Sequence, residues 1–128
     1  LRWTGRVGRD AIPPVLKAAR AGIVPYRSTY NLQLGIPNKI GEYLAAGLPL
    51  LSGLTGRVAR LVSEFEVGLS YRIDDPEDLA ACILRLRNEP KLCEEMSRAA
   101  RALYQKEFKA EVVYSNFADH LIALAGNG

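Results

Sequence analysis

Apolar positions follow two rhythms along this chain. Through the first half, short apolar runs at residues 1–4, 22–25, 48–52 and 68–72 read as strands. The stretches between them, 12–21, 37–46 and 57–64, repeat their apolar residues at helical spacing. Strand and helix in alternation imply parallel pairing with crossover helices laid on the sheet. Beyond residue 74 only the helical period remains. Asp75 suits an N-cap with Pro76 behind it, and Leu79, Cys82, Ile83 and Leu86 then make one apolar face, with Arg85 and Arg87 turned away. Pro90 opens a further helix with Leu92, Met96, Ala99, Ala100 and Leu103 inward. Val113, Phe117, Leu121 and Leu124 form the stripe of the last helix and are expected in the core. The expected fold is α/β, a parallel sheet of about four strands flanked by helices, with a helical C-terminal half. One domain is expected over residues 1–128, with 126–128 a frayed tail.

Ligands of such sheets bind at the carboxyl ends of the strands. Those ends are Gly5-Arg6-Val7, Tyr26-Arg27-Ser28 and Gly53-Leu54-Thr55-Gly56, so these loops and the helix at 37–46 surround one crevice. That helix carries the most chemistry. Pro37 is expected at its first position, where the missing N–H costs nothing, and the free amides of the opening turn together with Lys39 suit a phosphate. Glu42 follows about one turn later, placed to accept hydrogen bonds from the paired hydroxyls of a sugar. Gly47 ends the helix. Each of these residues also has a purely structural reading. Glu42 and Lys39 suit a solvated helix face, Arg27 a loop salt bridge, Arg6 and Val7 an ordinary turn, Gly53 and Gly56 a tight loop, and Leu34 packing.

The segment Ile36-Pro37-Asn38-Lys39-Ile40-Gly41-Glu42-Tyr43-Leu44-Ala45-Ala46-Gly47-Leu48-Pro49 resembles the donor-binding half of retaining glycosyltransferases with the GT-B fold, of the group 1 or family 4 type. Further pieces in the same order extend the likeness over nearly the whole chain. Trp3-Thr4-Gly5-Arg6-Val7 resembles an aromatic-x-Gly-x-Val strand end, and Ile23 to Ser28 an apolar strand closing on Pro-x-x-Ser. Gly53 to Leu61 is similar to the glycine loop and its helix, Asp74-Asp75-Pro76-Glu77-Asp78-Leu79 to an Asp-Pro-Glu-x-Leu helix start, and Tyr104 to Phe108 to the segment before the last helix. Leu34 stands where the family often has a first Glu, ahead of the expected Gly35, and Arg60 where the glycine-loop helix often has another.

The resemblance implies sugar transfer from a nucleotide diphosphate donor to an acceptor it does not identify, with anomeric configuration retained. Donor binding would fall to Gly35, Pro37, Asn38, Lys39, Glu42, Arg6, Val7, Arg27, Ser28 and Gly56. Family members also carry an earlier basic pair and a whole acceptor domain, so the chain reads as the C-terminal portion of a two-domain enzyme, inactive alone. Its bared first strand and the patch around Trp3 would then favour a homodimer through residues 1–25. The alternatives are a non-catalytic α/β module that binds a nucleotide or a protein, and a piece of a nucleotide-sugar epimerase, which shares the two-domain architecture.

Composition bounds these readings. The chain has 128 residues, 48% hydrophobic and 24% charged, enough for a core. A net charge of +3 with basic residues spread along the sequence argues against nucleic acid, while leaving an acidic donor or a peripheral membrane contact open. No apolar run approaches the roughly 20 residues of a membrane span. The first residues do not read as a signal peptide, so the expected location is the cytoplasm. Cys82 and Cys93 lack metal-site spacing and read as buried free thiols, and His120 as a packing or surface residue. No cofactor and no metal are expected.

Overall fold

The computed structural model describes residues 3–127. Three strands form one parallel sheet in the order β1-β2-β3: β1 (Gly22–Val24), β2 (Leu50–Ser52) and β3 (Gly68–Ser70). Register pairs Gly22 with Leu50 and Leu50 with Gly68, so Ile23, Leu51 and Leu69 stand side by side on one face. A short 3-10 turn, Arg9–Ala11, leads into α1 (Ile12–Ala18), and α2 (Tyr30–Leu34) and α3 (Asn38–Ala45) link β1 to β2. The helix α4 (Arg57–Glu64) links β2 to β3, and the helical half follows as α5 (Pro76–Asn88), α6 (Pro90–Leu103), a π turn at Tyr104–Phe108 and α7 (Ala110–Gly126).

β2 is central, and Leu50, Leu51 and Ser52 are all buried, as a strand covered on both faces must be. On one side Leu50 and Val24 meet Ile40 and Leu44 of α3, Val58, Leu61 and Val62 of α4, and Ala100 and Leu103 of α6. On the other, Leu51 packs with Tyr71, Leu86 of α5 and Met96 of α6. Burying each large aliphatic side chain contributes about 1.5–3 kcal/mol, so these two layers carry the fold. Asp75 caps α5 as its sequence suggests, accepting from the Asp78 amide at 2.9 Å, with Pro76 in the first turn.

Several sequence expectations change. Trp3 and Thr4 carry no strand pairing, and Leu1 and Arg2 lie outside the described residues. Pairing in β2 starts at Leu50 and not Leu48, because the Leu48 amide is bound to the Tyr43 carbonyl at 2.9 Å and Pro49 has no N–H to give. Pro37 caps α3 from outside, with extended backbone at ψ 141°, and is not its first helical residue. Ile83 is exposed, and the stripe of α7 is not core: Phe117 is 60% and Leu121 49% exposed. The reason is the extended backbone of Lys109, ψ 132°, which swings the chain off the π turn and leaves α7 in contact mainly with that turn. Cys82 and Cys93 are half-buried free thiols, their S–H groups directed to the carbonyls of Ser70 and Arg20.

Candidate functional site

The loop after β1 joins the crevice together. Three consecutive residues, Tyr26, Arg27 and Ser28, each reach a different neighbour. Tyr26 lies under the Lys39 ammonium, which sits 4.8 Å from the ring centroid and ties the loop to the start of α3. Arg27 pairs with Asp74 of the loop after β3 at 3.2 Å, both side chains mostly in solvent, a geometry worth at most about 1 kcal/mol. Ser28 Oγ accepts from both the amide and the hydroxyl of Thr55, each at 3.0 Å, locking the β1 and β2 loops to one another.

The β2 loop is shaped from within by Ser52, whose buried Oγ accepts from the Leu54 amide at 3.1 Å. At its end Gly56 takes φ +73°, and a Cβ there would lie 2.6 Å from the Gln33 carbonyl. Only glycine allows α2 and the start of α4 to approach so closely. Gly35 caps α2 in extended conformation and leads through Ile36 and Pro37 to the opening turn of α3.

Within that turn the Ile40 amide is taken by the Pro37 carbonyl at 3.0 Å, while Asn38 and Lys39 occupy the positions whose amides lack an intrahelical acceptor. Contact with the Tyr26 side chain raises the Lys39 pKa above the ordinary lysine value, part burial opposes it, and Tyr43 and Glu42 add smaller upward effects. The cation therefore persists throughout the physiological range, held at the positive end of a helix.

Glu42 lies on the exposed side of α3 and lines a hollow of about 660 Å³ between α1 and α3, together with Arg9, Ile12, Pro13, Leu16 and Lys17. A carboxylate, two cations and an apolar wall thus share one space. Arg9 and Lys17 are not singled out by sequence reasoning. Arg9 sits two residues past Val7 and reaches the hollow only because the 3-10 turn winds before Pro13 and Pro14. Arg6 and Val7 themselves stand exposed on the lead-in to α1. Leu34, expected as a packing residue, is 59% exposed at the end of α2.

The structure accordingly brings Lys39, Asn38 and Pro37 together with Tyr26, and Ser28 with the β2 loop that ends at Gly56. Glu42 faces a neighbouring hollow along α3. Among the described residues no cluster of three or more His, Cys, Asp or Glu could hold a metal ion. No helix of the described residues is long and apolar enough to cross a membrane.

No curated protein and no solved structure matches the chain. A family model described as glycosyl transferases group 1 matches residues 1–89, which hold β1, β2, β3 and every candidate position above. A match over more than half of the 128 residues, on a chain folded around a parallel sheet, makes this chain a member of the group 1 glycosyltransferases.

Proposed function

We propose that the chain forms the donor-binding side of a two-domain GT-B glycosyltransferase, which takes a sugar from a nucleotide diphosphate and retains its anomeric configuration. The observation that carries this is the arrangement along α3: amides and Lys39 at its start, Glu42 a turn later beside the hollow shared with Arg9 and Lys17. The diphosphate docks on the opening turn, where amides and the Lys39 cation stabilise the charge that grows as the glycosidic bond breaks. Glu42 accepts from the hydroxyls of the ribose, and the apolar wall of Ile12, Pro13 and Leu16 takes the less polar part of the nucleoside. Gly35 and Gly56 allow backbone to approach the ligand, while Ser28 and Arg27 hold the crevice through Thr55 and Asp74. Arg6 and Val7 border the nucleobase by their place on the lead-in to α1.

The acceptor is bound by residues outside these 128, so the isolated chain binds nucleotide weakly and transfers nothing. Replacing Glu42 by Gln keeps the shape and removes the charge. In a transfer-competent protein containing this chain, donor efficiency should fall about 30- to 150-fold, the loss of roughly 2–3 kcal/mol of charge-assisted hydrogen bonding. Donor titration with steady-state kinetics measures this, and unchanged kcat/KM in E42Q would remove Glu42 from the site. A nucleotide bound at α3 without transfer in any context would instead favour a binding module.

A further inference from the structure

At the opposite end of the sheet, where β1 and β2 begin, lies a second hollow of about 380 Å³. Lys17 and Arg20 enter it from the end of α1 and the loop beyond, and Arg98 and Arg101 from α6. Glu94 is the one carboxylate among its described lining residues, so the hollow carries 4 − 1 = +3 formal charges. That equals the formal net charge of the whole chain, +3, so the rest of the molecule balances to zero. Four of the 17 basic residues, far apart in sequence, thus meet in one place with a single carboxylate.

All four side chains are exposed and left unneutralised, while the backbone that presents them is fastened. Ser97 donates to the Gly47 carbonyl at 2.6 Å and the Cys93 thiol to the Arg20 carbonyl at 3.9 Å, which fastens α6 to both loops of the rim. Gly47 adopts φ +69°, and the Arg101 guanidinium passes where its Cβ would be, with Nε 2.5 Å from that position. Among the described residues the ion pairs engage Arg27, Arg72, Arg85 and Lys109, and none of these four cations. The carboxyl ends of α1 and α3 point toward the hollow, each equivalent to roughly half a negative charge. The amino end of α6 at Pro90 borders the hollow too and offsets one of these, so roughly two to three positive charges remain unanswered.

We infer that this hollow binds a polyphosphate group. Arginines presented from a rigid helix suit paired phosphate oxygens, and several cations in one concavity select for more than one negative charge. The hollow adjoins the one beside Glu42, with which it shares Leu16, Lys17 and Ala46, but Arg20, Arg98 and Arg101 lie outside that neighbour and the inference does not depend on the donor reading. Its ligand chemistry is shared by soluble polyphosphates and phosphate-bearing lipid headgroups.

Calorimetric titration of the 128-residue chain with sodium tripolyphosphate tests it, alongside sedimentation with phosphatidylcholine vesicles with and without phosphatidic acid. Saturable tripolyphosphate binding is expected, weakened about tenfold or more in R98Q/R101Q and in K17Q/R20Q. It should stay within about twofold in R85Q/K106Q, which removes equal charge elsewhere. Binding of tripolyphosphate without the vesicles assigns a soluble ligand, and co-sedimentation with acidic vesicles that R98Q/R101Q abolishes assigns a lipid headgroup. No saturable binding to either probe, or equal weakening in R85Q/K106Q, overturns the inference. Should one pair of substitutions unfold the protein, the other pair and the amide shifts of Gly47 and Ser97 in the unsubstituted chain decide it.

Discussion

Each side chain at residues 26–28 meets a different element, which explains why a three-residue stretch can shape a whole crevice. Tyr26 lies under the Lys39 ammonium of α3, Arg27 reaches Asp74, and Ser28 joins the β2 loop. The Tyr26 contact is the largest cause of the raised Lys39 pKa, so the phenol and the ring can be separated experimentally. In Y26F the ring remains and the hydroxyl is lost, and the Lys39 pKa should move down toward the ordinary value, read from the Lys39 side-chain carbon shift against pH. The sign for stability follows from linkage. A pKa raised on folding contributes stability that is complete below the unfolded lysine value, about 10.4, and is lost as pH rises through the higher folded value. Acid should leave this contribution untouched, and an unchanged Lys39 titration in Y26F would remove the hydroxyl from the account.

At the scale of elements, α6 and α7 show how the same apolar content gives opposite results. The α6 face buries Met96, Ala100 and Leu103 against both core layers, whereas α7 presents Val113, Phe117, Leu121 and Leu124 to solvent. Truncating Leu103 to Ala should therefore cost about 2–5 kcal/mol, the usual range for a buried leucine. F117A and L121A should each change stability by less than about 0.5 kcal/mol, since they empty no cavity. Urea unfolding of the three variants measures this directly, and a large loss in F117A would mean that α7 is packed after all. The turn geometry obeys the same local physics on both sides: Gly47 and Gly56 take left-handed backbone where an arginine or a neighbouring carbonyl fills the space of a Cβ.

Across the whole molecule, the described strands leave an unpaired sheet edge at β1, where Ile23 is 37% exposed, and the apolar surface of α7 adds a second sticky region. Exposed edges and contiguous apolar patches favour self-association. The isolated chain should accordingly show concentration-dependent mass in the micromolar range by sedimentation velocity. F117K/L121K should shift it toward monomer if α7 supplies the contact. A monomer at all concentrations, with slow amide exchange along β1, would show that neither surface recruits a partner. Charge is also organised at this scale, with Lys39 and the opening turn of α3 at one end of the sheet and the cationic hollow at the other, next to the Glu42 hollow with which it shares Lys17.

Local sequence was enough for the three strands and the helices between them, the Asp75 cap, the helix at residues 38–45 though not its first residue, and the meeting of the loops after β1 and β2. Each follows from periodicity, capping chemistry or parallel topology, which act over a few residues or through general rules. Tertiary structure decided the rest. Whether the α7 stripe is buried depends on which surfaces lie opposite it, and the backbone turn at Lys109 took it away from the core. Whether Arg9 or Arg6 lines the Glu42 hollow depended on one 3-10 turn, and whether Arg27 is free or paired depended on where Asp74 arrives from 47 residues away. The hollow formed by Lys17, Arg20, Arg98 and Arg101 was invisible in sequence for the same reason: electrostatics depends on distance in space, and residues more than 70 positions apart become neighbours only once α6 is fastened to the start of the sheet.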